Sequence, residues 1–135
     1  MSALTIGRLA RAAGVNVETI RYYQRRGLLR TPRRPPGGVR VYSADSLEQL
    51  NFIKRAQQLG FSLRDIRELL ALGSGQCGES RQLAEAHLLA IEQRLRDLRR
   101  MRTSLTRLIR RCREGREPIC PIAATLASPA SGHAR

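Results

Sequence analysis

The residues of this 135-residue chain best suited to chemistry are three cysteines, Cys77, Cys112 and Cys120. Three thiolates without a nearby histidine suit a soft, thiophilic ion, whereas structural zinc normally takes four nitrogen or sulfur ligands. His87 lies inside a helical stretch and is expected to pack or face solvent; His133 falls in the C-terminal tail. Arg110, Arg111, Arg113 and Arg116 flank the two later cysteines, where they would lower the thiol pKa and offset the charge of a tris-thiolate site. An odd cysteine count and an N-terminus without an apolar leader fit reduced thiols in the cytosol, with a cytoplasmic location expected.

The element that must position these thiols is the run 80–112. It contains no Gly or Pro and is filled mostly with strong helix formers. Ala84, Leu88, Ile91, Leu95, Leu98, Leu105, Ile109 and Cys112 recur at alternating steps of four and three, interrupted at Arg102. This is a heptad seam, and it asks for a partner helix. Such a helix is roughly 50 Å long at 1.5 Å per residue, too long for so small a chain to cover, so a homodimer is expected. Cys77 and Cys112 would lie at its opposite ends and could not share an ion within one chain. An antiparallel partner would bring Cys112 and Cys120 of one chain beside Cys77 of the other.

The net charge of +14 points to a polyanionic partner. No stretch approaches the ~18 apolar residues of a membrane span, so no membrane partner is expected. With 41% hydrophobic residues and no Trp, any core must be built mainly from Leu, Ile and Ala.

Thr5 is placed to cap a helix over 6–13 that Gly14 ends, and Asn16 to cap a second over 17–26 that stops at Gly27. Two short helices around a glycine-containing turn outline a helix-turn-helix, whose second helix enters the DNA major groove. Val17, Ile20, Leu28 and Leu29 would face inward. Glu18, Thr19, Arg21, Tyr22, Arg25 and Arg26 would point outward, or partly so. Residues 30–42, RTPRRPPGGVRVY, read as a basic wing: a tight hairpin turn at Gly37-Gly38 between short strands, with Arg33, Arg34, Arg40 and Tyr42 toward phosphates. A third helix over 44–59 would bury Leu47, Leu50, Phe52, Ile53 and Leu59. A fourth over 63–72 starts at a Ser62/Asp65 capping box.

The resulting boundaries are 1–72 for a winged helix-turn-helix domain with a second helix pair, 73–79 for a hinge, and 80–112 for the dimerisation helix. A metal-binding loop and short helix would occupy 113–127, followed by a disordered tail at 128–135. The fold class is mainly α.

In this order, the segments TIGRLARAAGVNVETIRYYQRRGLL and VRVYSADSLEQLNFIKRAQQLGFSLRDIRELL resemble the MerR family of transcriptional regulators over nearly the whole chain. GVNVETIRYYQRRGLL, AQQLGFS, QCGES with LAEAHL, and the terminal CPIA are most similar to its mercury-responsive branch. The resemblance implies a homodimer joined by an antiparallel coiled coil and bound to promoter DNA together with RNA polymerase. It implies repression without metal, and activation by DNA distortion when Hg(II) occupies a three-cysteine intersubunit site. Carried over by motif, the metal ligands are Cys77, Cys112 and Cys120. The DNA contacts are Arg21, Tyr22 and Tyr23 in the recognition helix, with Thr19 on its outward side, and Arg40 and Tyr42 in the wing.

Seven residues separate Cys112 from Cys120, where mercury-responsive relatives generally have eight. Pb(II)- and Cd(II)-responsive relatives have similar loops, so these ions are the alternative effectors. A thiol-redox regulator is a further alternative. No paired carboxylates, phosphate-cradling glycine loop or Cys-His dyad supports an enzyme.

Overall fold

The computed structural model describes residues 4–129, and the chain over that range is mainly helical. In order come α1 (Ile6–Ala13), α2 (Val17–Arg25), α3 (Ala44–Gln58), α4 (Leu63–Leu72), a single 3-10 turn (Gly73–Gly75), α5 (Cys77–Glu114) and α6 (Pro121–Ala127). Two compact units divide the chain, the first running through His87 and the second beginning at Leu88. Most of the expected tail, His133 included, lies outside the described residues.

Local chemistry sets the helix ends in the first unit. The Thr5 hydroxyl accepts the Arg8 amide at 3.3 Å, and Gly14 takes the left-handed conformation (φ 71°) that closes α1. Asn16 Oδ1 accepts from the Thr19 amide at 2.8 Å and from the Thr19 hydroxyl at 2.9 Å, so α2 starts sharply after the turn. Ser62 caps α4 through the Asp65 amide at 3.1 Å. Leu9, Ile20, Leu50, Ile53 and Ile66 come from all four helices and are fully buried, each removal from water stabilising by about 1.5–3 kcal/mol. Lys54 Nζ donates to the Ala13 carbonyl at 2.6 Å, placing a cation at the negative end of α1 and tying α3 to it. The Arg67 guanidinium likewise donates to the Arg26 carbonyl, fastening α4 to the end of α2.

Four expectations need correction. Phe52 and Leu59 are 42% and 65% exposed, because the buried stripe of α3 is the narrower set Leu50, Ile53 and Ala56. The wing has no strands among the described residues. Its turn lies one residue earlier, with the Gly38 amide donating to the Pro35 carbonyl at 3.1 Å and Gly37 at φ 69°. Proline followed by a positive-φ glycine is the signature of a type II turn, which splays flanking segments instead of pairing them. One isolated antiparallel bridge, with the Tyr42 amide donating to the Leu4 carbonyl at 2.7 Å, returns the wing to the N-terminal segment. Finally, the long helix exceeds the expected 80–112: α5 begins at Cys77 and runs on to Glu114. Gly78 does not prevent this, because in a first turn the amides lack intrahelical partners anyway and Glu79 favours the helix dipole.

His87 has a defined role in the first unit. Its ring stacks on Phe61 with centroids 4.4 Å apart, and Nε2 lies 2.8 Å from the Leu59 carbonyl. That geometry makes Nε2 the donor. Between these partners Gly60 adopts φ +86°, and a Cβ there would stand 3.3 Å from Nε2. Gly60→Ala is therefore expected to destabilise the unit by about 1–2 kcal/mol through its left-handed backbone alone. Urea unfolding should show a further loss from the ring contact that disappears in a His87→Ala background. Equal losses in both backgrounds would show that the ring does not press on this turn.

Candidate nucleic-acid interface and thiol site

The recognition helix and the wing form one basic surface. Arg21, Gln24, Arg34, Arg40 and Tyr42 line a groove of about 280 Å³ between α2, the wing and the start of α1. Beside it, Arg30, Arg33, Arg34 and Arg40 surround a wider recess of about 700 Å³. No carboxylate lines either one. Guanidinium groups crowded in this way, with no carboxylate lining the groove beside them, are suited to phosphate oxygens.

The individual residues divide into an exposed face and its support. Arg21 is exposed and bridges to Glu18 at 3.3 Å, a helix-surface pair that costs little to exchange for phosphate. Tyr22 is 40% exposed, with the Arg26 guanidinium 5.8 Å from its ring centre. Thr19 is half-buried, its hydroxyl engaged by Asn16. Arg40 is exposed, and its Nε donates to the Pro32 carbonyl at 3.0 Å, holding the two sides of the wing together.

Tyr23 and Tyr42 depart from their expected places. Their rings are only 4% and 3% exposed, within the core. The Tyr23 hydroxyl donates to Gln57 Oε1, and the Tyr42 hydroxyl accepts from Gln24 Nε2 at 2.8 Å. Burial is the main cause raising the Tyr23 pKa, with neighbouring Tyr22 adding to it. The backbone bridge from Tyr42 to Leu4 accompanies this burial, and Tyr42 still borders the groove. Gln24 and Arg30 were missed by sequence reasoning. A glutamine on a basic helix carries no signal of its own, but Arg30 extends the arginine run of the wing and was readable from that.

The thiols are all free and exposed. In the second unit Cys112 lies near enough to Cys120 to act on its thiol. The Cys120 pKa is lowered first by the Ala123 amide, then by the Ile122 amide, and less by Cys112. The cause is thus the start of α6 rather than the arginines expected to do it. Arg111 is instead engaged by Glu117 in a two-pronged pair, at 2.6 Å and 3.0 Å. Cys77 opens α5 in the first unit. Among the described residues of one chain, no three His, Cys, Asp or Glu side chains converge as metal ligands.

Comparison with known proteins bears on both sites. Residues 4–72 match the family described as MerR HTH family regulatory protein, and residues 47–108 the family described as MerR, DNA binding. A mercuric resistance operon regulatory protein from Shigella flexneri is 47% identical over 129 residues, covering 94% of this chain and 90% of the relative. The transcription regulator PbrR691 from Ralstonia metallidurans CH34, solved in complex with lead(II), superposes with a TM-score of 0.79 at 34% identity, covering 92% of this chain and 99% of that one. The dual-function regulator MerR from Bacillus megaterium MB1, solved with mercury(II), gives a TM-score of 0.71 at 36% identity, covering 93% and 100%. With its helix-turn-helix, basic wing and long terminal helix, this chain belongs to the MerR family of DNA-binding transcriptional regulators.

Proposed function

We propose that this chain is a mercury-responsive transcriptional regulator acting in the cytoplasm as a homodimer on promoter DNA with RNA polymerase. The observation that carries the reading is the placement of the thiols: Cys112 and Cys120 meet in one unit, while Cys77 stands at the other end of the 38-residue α5. Thirty-four residues of α5 lie between Cys77 and Cys112, about 50 Å of helix at 1.5 Å per residue. A three-thiolate site therefore takes its third ligand from a second copy. The seam of α5 supports that copy. Leu88, Ile91, Leu95, Leu98, Leu105 and Ile109 are 37–56% exposed, an apolar stripe that one chain leaves in water. Antiparallel pairing on this stripe sets the partner subunit's Cys77 beside Cys112 and Cys120.

The donor set fits a soft ion, since all three ligands are free thiols and one is already biased toward thiolate. When bound, such an ion supplies a cross-link between subunits. Arg21, Tyr22 and Arg40, with Thr19, face the duplex; Tyr23 and Tyr42 hold that face from beneath. Phosphate contacts then offset the few kcal/mol needed to distort the promoter toward the activating geometry. The resemblance to the mercuric resistance operon regulator supports mercury as the physiological signal. The likeness to a lead-bound regulator makes lead the competitor to test.

Cys77→Ser is expected to abolish metal-induced transcription while operator affinity stays within about twofold, read by run-off transcription and mobility shift. Loss of operator binding would instead make Cys77 structural. Mixing Cys77→Ser subunits with subunits carrying Cys112→Ser and Cys120→Ser should recover one metal site per heterodimer in an anaerobic titration against excess thiol. Recovery of none would refute the intersubunit site.

The lowered Cys120 pKa gives a pH dependence with a fixed sign. Its stabilising contribution is present above the ordinary thiol range and is lost as pH falls through the lower folded value. Cys120 should therefore react with iodoacetamide at lower pH than the same cysteine in an unfolded peptide spanning 116–125. Coincident pH–rate profiles would show that the α6 amides do not act on it.

A further inference from the structure

Between the two cysteines of the second unit lie the end of α5, a turn and a short loop. α5 ends at Glu114, Gly115 turns the chain at φ 61°, and Glu117 then reaches back to Arg111. Arg111 Nη2 donates to Glu117 Oε1 at 2.6 Å, and Nε donates to Oε2 at 3.0 Å. Both prongs of the guanidinium are used, an arrangement stronger and more directional than a single surface ion pair. The two side chains are 42% and 40% exposed, so salt partly screens the pair.

The contact spans nearly the same segment as the thiols. Arg111 precedes Cys112 directly. After Glu117 only Pro118 and Ile119 remain before Cys120, which leads into α6 with Pro121 at its first turn. With the proline rings fixing φ at two of these positions, little freedom is left once the carboxylate is seated.

We infer that the Arg111–Glu117 pair is a clamp that fixes the spacing of the Cys112 and Cys120 thiols, so that the chain presents a preformed two-thiol jaw to a soft metal ion. Arg111 and Glu117 are positioning residues and touch no ligand. In its metal consequence the clamp rests on the sensor reading above. In its thiol geometry it stands independently. A fixed jaw lowers the cost of bringing two thiols to one ion, so loosening the clamp weakens the hold on a soft ion at the three-thiolate site.

The clamp is tested on the 135-residue chain carrying Cys77→Ser, equilibrated anaerobically in a glutathione buffer. There the Cys112–Cys120 dithiol and one glutathione disulfide yield the protein disulfide and two glutathione thiols. One sulfur–sulfur bond forms as another breaks, and the two thiol protons pass to glutathione. The equilibrium gives the effective concentration of one thiol at the other. Glu117→Gln is expected to lower it about tenfold, the scale of losing one charge-assisted contact. The reversed pair, Arg111→Glu with Glu117→Arg, should recover most of that loss. In the parent chain, raising salt to about 1 M should lower the value toward that of Glu117→Gln, which itself should barely respond. An unchanged value in Glu117→Gln, or a parent insensitive to salt, would overturn the clamp. With Cys77 restored, Glu117→Gln should lose mercury and lead to a competing thiol more readily than the parent; unchanged retention of both would overturn the metal consequence. If the unsubstituted chain retained neither ion, the sensor reading would fall and the glutathione equilibrium would still decide the clamp.

Discussion

The seam of α5 is the constraint on which the rest depends. Its leucines and isoleucines sit at heptad spacing on a 38-residue helix and remain largely in water in the single chain. At about 25 cal/mol per Å² of apolar surface, leaving such a stripe uncovered forgoes a large part of the stabilisation a small protein can reach. The proposed association follows from that uncovered stripe, and the proposed intersubunit site follows from the 38-residue length of α5.

The first unit shows how a strongly basic chain still forms a core. Its fully buried side chains are aliphatic, and among the described residues no buried polar or charged side chain enters the core. Cations are used instead where the backbone is negative: Lys54 on the last carbonyls of α1 and Arg67 on that of α2. Arg21, Arg30, Arg33, Arg34 and Arg40 line the wing and groove, where no carboxylate is among the lining residues. Repulsion among them favours occupation by a polyanion over any internal pairing.

Much of this was legible in the sequence, for identifiable reasons. The helix boundaries of α1, α2 and α4 follow from Thr5, Asn16 and Ser62, whose short polar side chains cap the amides that follow. The seam follows from its period. Two kinds of feature were not legible. One is burial decided by a distant partner: Tyr42 belongs to the basic wing segment, yet it pairs with Leu4 and is buried. The other is the competition among side chains for a charge. Four arginines near two thiols suggested thiolate stabilisation, but Glu117 engages Arg111 and the α6 amides act on Cys120. Spacing along a chain cannot say which of several acceptors a guanidinium will choose.

The contact of His87 with Leu59 and Phe61 has a bearing on how such regulators exchange parts. The compact first unit ends at His87, so the opening turns of the long helix belong to the DNA-reading half. The glycine-rich segment Gly73–Gly75 looks like a natural seam for recombination but lies within that unit. A new sensing half spliced there would arrive without the ring that seats the α3–α4 turn. Joined after His87, it would inherit the first unit together with that ring.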